Sequence, residues 1–238
     1  MVSWKPPVKP KSLLYKELAA ERDAAEKVKR DKPILVVLGN PPYNAFAGVS
    51  PKEEDGLVDA YKEGLQSGWG IRKFNLDDLY VRFFRIAEQR IVEKTGEGLV
   101  CFISNFSYLG DASFVVMRQR LLQEFERIWI DCLNGDSRET GKLTPAGSPD
   151  PSVFSTDHNP EGIRVGTAIG LFARLPKVRA KKKPRATEFR EFWGTHKRQD
   201  LLDSLTSVEE RFAYKAVVPV QANRYSFVPS NTSDELWP

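Results

Sequence analysis

The chain has 238 residues, 41% of them hydrophobic and 29% charged, with a formal net charge of +4 and two cysteines. Those proportions belong to a globular chain able to bury a sizeable core, and two cysteines exclude a disulfide-stapled scaffold. No apolar run approaches the ~18–20 residues that span a bilayer. Met1-Val-Ser-Trp-Lys-Pro-Pro lacks the apolar stretch of a secretory signal, so a reducing, cytoplasmic setting is expected. The charge is uneven: residues 1–32 hold nine Lys/Arg against five Asp/Glu, and residues 177–190 hold seven against one. Basic segments around a net acidic middle suit a polyanion such as nucleic acid, although Val178-Arg-Ala-Lys-Lys-Lys-Pro-Arg185 alone reads equally well as a solvated face.

In chain order, residues 12–30 are rich in helix formers, with Ser12 as cap. Ile34-Leu-Val-Val-Leu38 is a continuous apolar, β-branched run, the pattern of a central strand covered on both faces. Asn40-Pro-Pro-Tyr43 follows. Residues 44–76 read as a flap containing a short helix near 56–66. A helix from Asp78 to Lys94 carries Leu79, Phe83, Ile86, Arg90 and Ile91 at steps of three and four. Strands are predicted at Leu99–Ser104 and Arg127–Leu133, separated by a helix from Ala112 to Phe125. Residues 134–162 form a long Gly/Pro/Ser/Asp loop, and Gly166–Ala173 returns as an antiparallel strand. Thr187–Trp193 alternates as a strand, and Asp200–Ser204 begins a short helix. The class is α/β, mostly parallel with a terminal antiparallel strand. The expected divisions are an N-terminal helix (1–32), a catalytic segment (33–176) and a basic linker with an extension (177–238).

In parallel sheets, ligands sit at the carboxyl ends of strands, which is where Asn40-Pro-Pro-Tyr43 stands. Pro42 restricts Pro41, and Pro41 restricts Asn40, so the turn is stiff. Neither proline offers an N–H. The turn therefore displays acceptors, the Asn40 amide oxygen and the Pro41 carbonyl, beside the ring of Tyr43. Two acceptors next to an aromatic plate match a planar substrate bearing an amino group, adenine being the obvious case. Acceptors that hold both amine hydrogens also stabilise the positive charge developing as nitrogen attacks a methyl group.

Leu38-Gly-Asn-Pro-Pro-Tyr-Asn44 resembles the catalytic motif of amino-methyltransferases that use S-adenosylmethionine, above all the DNA adenine-N6 methyltransferases. Leu79–Ala87, Gly98–Leu109 and Gly166–Phe172 are similar to the later motifs of that family. Their order and spacing most resemble large single-chain restriction-modification enzymes, over roughly residues 12–210. The resemblance implies a Rossmann-like methyltransferase sheet whose catalytic turn is Asn40, Pro41, Pro42 and Tyr43, with Asn40 and Pro41 holding the target amine and Tyr43 stacking on a flipped adenine. Phe106, Tyr108 or Phe154 would close the other face of the base, and Lys181, Lys182, Lys183 and Arg185 would meet DNA phosphates.

The family's glycine-rich cofactor turn is not found. Thr95-Gly-Glu-Gly98 precedes a strand rather than following one and reads as a helix stop. The chain is thus expected to be the second half of a methyltransferase domain, with an incomplete S-adenosylmethionine site and an apolar strand edge that a missing N-terminal half or a partner chain would cover. A protein-glutamine or RNA amino-methyltransferase, or a truncated DNA-binding or docking fragment, are the competing readings. His158 and His196 have no partner at metal-ligand spacing, so no metal is expected.

Overall fold

Ile34–Leu38 enters the sheet as strand β1 (Val36–Gly39). The computed structural model describes residues 16–43, 55–74, 76–176, 186–207 and 209–229. Within them lie α1 (Lys16–Asp31), α2 (Asp59–Lys62), α3 (Leu65–Trp69), α4 (Leu79–Glu88), α5 (Val115–Glu124) and α6 (Lys197–Asp203), with a π-helical turn (Gln89–Thr95) continuing α4. The remaining strands are β2 (Gly98–Asn105), β3 (Arg127–Asn134), β4 (Thr167–Arg174), β5 (Ala186–Glu191) and β6 (Lys215–Val217). They form one six-stranded sheet in the order β1-β2-β4-β3-β5-β6. Strands β1 and β2, and likewise β3 and β5, pair in parallel, whereas β4 runs antiparallel to both of its neighbours. The expected hairpin of β3 with β4 forms, and β4 also inserts beside β2, so it lies inside the sheet. Beyond residue 176, β5 and β6 continue the same sheet.

The run that reads as a central strand lies at an edge. Strand β1 pairs with β2, and Val36 and Leu38 are 51% and 75% exposed. Their apolar character therefore has no cover among the described residues, a combination that natural sheets ordinarily avoid on a free edge.

Side chains alternate across the sheet. On one face, Val100, Phe102, Ile128, Ile130 and Phe172 are buried beneath α4 and α5. Phe84 of α4 sits at the centre, its ring 5.2 Å from Phe102, 5.0 Å from Tyr108 and 5.6 Å from Phe172. The buried stripe of α4 is Tyr80, Phe84, Ala87 and Ile91, with Val81 beside it. Phe83 and Ile86, expected on that stripe, are instead 42% and 46% exposed. They line a cavity of about 970 Å³ shared with Leu57 and Ala60. The apolar arc of the helix is broad, spanning Leu79, Phe83 and Ile86 as well as Tyr80, Phe84 and Ala87, and within so broad an arc period alone cannot choose the buried face.

The flap is tied to this layer by a buried carboxylate. Glu88 accepts a 2.7 Å hydrogen bond from the Tyr61 hydroxyl of α2 and contacts Arg120 of α5 at 2.6 Å and Arg85 at 3.1 Å. A second, smaller cluster on the opposite face joins Leu133, Phe192 and Phe212 to Ile103, Val153, Ile169 and Leu201 near the carboxyl ends of β2 and β3.

At Gly170 of β4, a Cβ atom would lie 2.5 Å from the Tyr108 hydroxyl and 2.7 Å from the Phe172 ring. Gly170→Ala is therefore expected to destabilise the fold by about 1–3 kcal/mol through overpacking, measured by denaturant unfolding.

Candidate functional site

The turn after β1 stands at the carboxyl end of the strand. Pro41 is buried, Asn40 and Pro42 are exposed, and Tyr43 is half-buried. The Tyr43 hydroxyl donates to the Ile103 carbonyl of β2 at 3.2 Å, which fixes its ring beside the turn. Burial raises the Tyr43 phenol above its ordinary pKa. It therefore stays a neutral donor and has no capacity as a base near neutrality.

Phe154 comes from the long loop between β3 and β4, more than a hundred residues along the chain. Its ring meets Tyr43 edge-to-face, with centroids 5.9 Å apart and planes at 66°. The structure thus brings together Asn40, Pro41, Pro42, Tyr43 and Phe154. Phe106 is half-buried instead over β4: a Cβ on Gly166 would approach its ring to 2.5 Å. Tyr108 is fully buried and packs on Phe84 and Phe227, its ring centroids 5.0 and 6.5 Å from theirs. It is a core residue and presents no face to a substrate, because the short 3₁₀ turn Phe106–Leu109 directs it back under the sheet. Lys181, Lys182, Lys183 and Arg185 lie outside the described residues.

The loop carrying Phe154 is fixed by two buried carboxylates that composition alone did not reveal. Asp136 accepts hydrogen bonds from the backbone of Arg138 and Glu139, each at 2.6 Å, and from Gly166 at 2.8 Å, which ties the loop's start to the entry of β4. Asp150 is wholly buried and pairs with Lys197 of α6 at 2.5 Å. The only signal in the sequence was the placement of two aspartates beside Gly and Pro, a pattern common to ordinary turns.

Whether S-adenosylmethionine fits can be judged from β1. The acceptor turn follows an edge strand whose Val36 and Leu38 side chains stand exposed on the sheet face opposite α4 and α5. Gly96 ends the π-helical turn with φ +84°, and a Cβ on Gly98 would lie 2.4 Å from the Leu35 carbonyl, so this Gly-x-Gly packs two elements together rather than cradling a ligand. What the described residues place here is two carbonyl acceptors, those of Asn40 and Pro41, beside the rings of Tyr43 and Phe154. Among the described residues, no group of three or more His, Cys, Asp or Glu is placed to hold a metal ion. Cys132 is buried with its thiol pushed up to about 12, which leaves it unreactive near neutrality. Nor, among the described residues, is any helix long and apolar enough to cross a membrane.

No protein-family model and no curated protein matches the chain. Solved structures do. The cryoEM structure of the DrdV–DNA complex matches 92% of this chain with a TM-score of 0.66 and 21% identity, over 20% of its own chain. The ATP-dependent Type ISP restriction-modification enzyme LlaBIII bound to DNA matches 92% with a TM-score of 0.65 and 20% identity, over 14% of its chain. A nuclease-deletion mutant of the Type ISP restriction-modification enzyme LlaGI, in complex with a DNA substrate mimic, matches 87% with a TM-score of 0.63 and 21% identity, over 19% of its chain. This chain therefore spans a fifth or less of each matched chain. At such identities the likeness is one of fold: the mixed α/β sheet described above is the fold of a segment of these large enzymes.

Proposed function

We propose that this chain is the methyl-acceptor segment of a DNA adenine-N6 methyltransferase of the restriction-modification kind. The observation that carries the reading is the meeting of Tyr43 and Phe154 beside the Asn40-Pro41 turn, two aromatic rings adjacent to two carbonyl acceptors at the end of a parallel strand. In this reading the Asn40 and Pro41 oxygens accept the two hydrogens of the adenine amine and draw its nitrogen towards tetrahedral geometry. Tyr43 stacks on the base, and Phe154 turns from its edge-on position to cover the opposite face. Because reaching such a site requires the base to leave the duplex, binding energy from the rest of the DNA must offset a few kcal/mol of unstacking. The basic stretch with Lys181, Lys182, Lys183 and Arg185 supplies phosphate contacts in this reading.

S-adenosylmethionine, when bound, supplies the methyl group. The edge of β1 supports a division of labour in which the cofactor is held by a further unit whose strands pair beyond β1 and whose packing covers the sheet face that bears Val36 and Leu38. Labelled S-adenosylmethionine titrated into the purified chain should show no saturable binding unless those strands are supplied. Tight binding by the chain alone would overturn this division. Leu38→Lys separates assembly from folding. At an exposed position it should change the stability of the chain by less than about 0.5 kcal/mol, yet abolish co-purification with the cofactor-binding strands. Undiminished co-purification would mean that the β1 edge is not the joint.

The direct test of the reading is nucleoside mass spectrometry on DNA from cells lacking adenine methylation that express this chain with its cofactor-binding strands. The expected product is N6-methyldeoxyadenosine.

A further inference from the structure

Phe154 can oppose Tyr43 only if the loop that carries it is held in register, and the loop is long. Residues 150–155 show how this is done. Both oxygens of the Asp150 carboxylate are engaged internally: one accepts from the Gly135 backbone at 2.8 Å, and the other accepts from the Gly194 backbone at 2.6 Å and from Lys197 at 2.5 Å. The Lys197 ammonium donates also to the Leu133 carbonyl at 2.8 Å. Three separate parts of the chain, the end of β3, the turn before α6 and α6 itself, thus converge on one carboxylate. Four residues later the same segment delivers Phe154.

Between these points the backbone has no slack. A Cβ on Gly135 would lie 2.9 Å from the Pro151 carbonyl and from Ser152 Cα, so the loop rests directly on the end of β3. Val153 packs into the small cluster with Ile103, Ile169 and Leu201. The Phe154 backbone N–H is held by the Ser152 hydroxyl at 3.2 Å. Ile103 in turn supplies the carbonyl that orients Tyr43. Tyr43 is therefore fixed from β2 through its hydroxyl, and Phe154 from the end of β3 and from α6 through the loop that Asp150 anchors.

We infer that the buried Asp150–Lys197 ion pair is a positioning device that sets Phe154 against Tyr43, which makes α6 part of the catalytic unit. A buried pair of this kind is weak evidence for stability, since well-packed apolar residues often serve as well. What it provides here is direction: a carboxylate that must meet two backbone N–H groups and one ammonium admits one placement of the loop. The inference builds on the proposed base-binding role of the two rings, but its test does not depend on that role.

The test places 4-fluorophenylalanine at position 154 of the full chain and reads its ¹⁹F resonance. Tyr43→Leu defines the resonance of the probe without its partner ring. In the doubly neutral variant Asp150→Asn/Lys197→Met, which leaves no orphan charge, the signal is expected to move to the Tyr43→Leu position. Glu88→Gln, which alters a buried carboxylate bonded to Tyr61 and Arg120 on the opposite face of the sheet, serves as a destabilising control and should leave the signal in place. An unmoved signal in the double variant, or an equal movement in the Glu88→Gln control, would overturn the positioning role. A second arm measures fluorescence quenching of a 2-aminopurine-containing single-stranded oligonucleotide. Should Phe154→Ala leave that quenching unchanged while the ¹⁹F result holds, the base-binding reading fails and the positioning role stands.

Discussion

Asn40→Ala should lower methyl transfer by at least about 10²–10³-fold in the chain assembled with its cofactor-binding strands, the scale of losing one pre-placed polar group at a developing charge. The loss should fall on kcat, because the carboxamide oxygen accepts more strongly as the amine becomes cationic than it does from the neutral base. Duplex binding should be nearly unchanged, since phosphate contacts dominate affinity and lie elsewhere. Asn40 is exposed at the strand end, so its truncation leaves no cavity and creates no buried orphan. This makes the substitution informative, because the chain should keep its melting temperature while it loses turnover. Steady-state kinetics with tritiated cofactor, paired with thermal denaturation, check both halves of the expectation. A variant that retains turnover would remove Asn40 from the reaction.

The largest effect on folding is expected at Arg118. This fully buried side chain of α5 donates to the carbonyls of Tyr108 at 2.9 Å and Asp111 at 2.8 Å, and twice to that of Arg224, at 3.2 and 2.9 Å. Burial lowers its guanidinium to about 10, which still leaves it charged at neutral pH. It thereby holds the Phe106–Leu109 turn, the start of the α5 region and the 224–227 segment together, and Phe227 from that segment is buried against Tyr108. Arg118→Met fills much of the volume but leaves the Tyr108 and Arg224 carbonyls without their donor, while that of Asp111 keeps the Phe114 backbone N–H. At about 1–3 kcal/mol for each buried group left unpaired, partly relieved by water, a total loss near 4 kcal/mol is expected. For a chain of this size that corresponds to a fall in melting temperature of roughly 8–16 °C. Arg118→Lys should recover little, because one ammonium cannot reach three carbonyls that a planar fork reaches. Circular dichroism melts decide the matter, and a loss below about 1 kcal/mol would show that the three segments are held by packing alone.

Local pattern and long-range pairing differed in how far the sequence revealed them. The strands were legible because Leu99–Ser104, Arg127–Leu133 and Gly166–Ala173 are short apolar runs bounded by turns, a signal carried by neighbouring residues. The acceptor turn was legible because two prolines and an asparagine limit what a strand end can display. The face of α4 was not, since Leu79, Phe83 and Ile86 form a stripe as apolar as Tyr80, Phe84 and Ala87, and the choice between them was made by the sheet. The edge position of β1 was likewise hidden in a run of residues that would serve equally in a sheet's centre. Glu88, Arg118, Asp136, Asp150 and Lys197 were silent for a related reason. Each is a charged residue in a surface-like context along the chain, and its burial depends on partners tens of residues away. Phe154 could be singled out by resemblance, but only the folded loop shows that it meets Tyr43.

Whether the Asn40–Tyr43 turn and Phe154 together present an adenine amine for methylation is decided by where the methyl group goes. The assembled chain is incubated with methyl-tritiated S-adenosylmethionine and unmethylated DNA, and the DNA is digested to nucleosides and separated. Label is expected in N6-methyldeoxyadenosine alone, and is lost in Asn40→Ala. Label in a cytosine product or in protein, or undiminished label in the Asn40→Ala variant, would contradict that role.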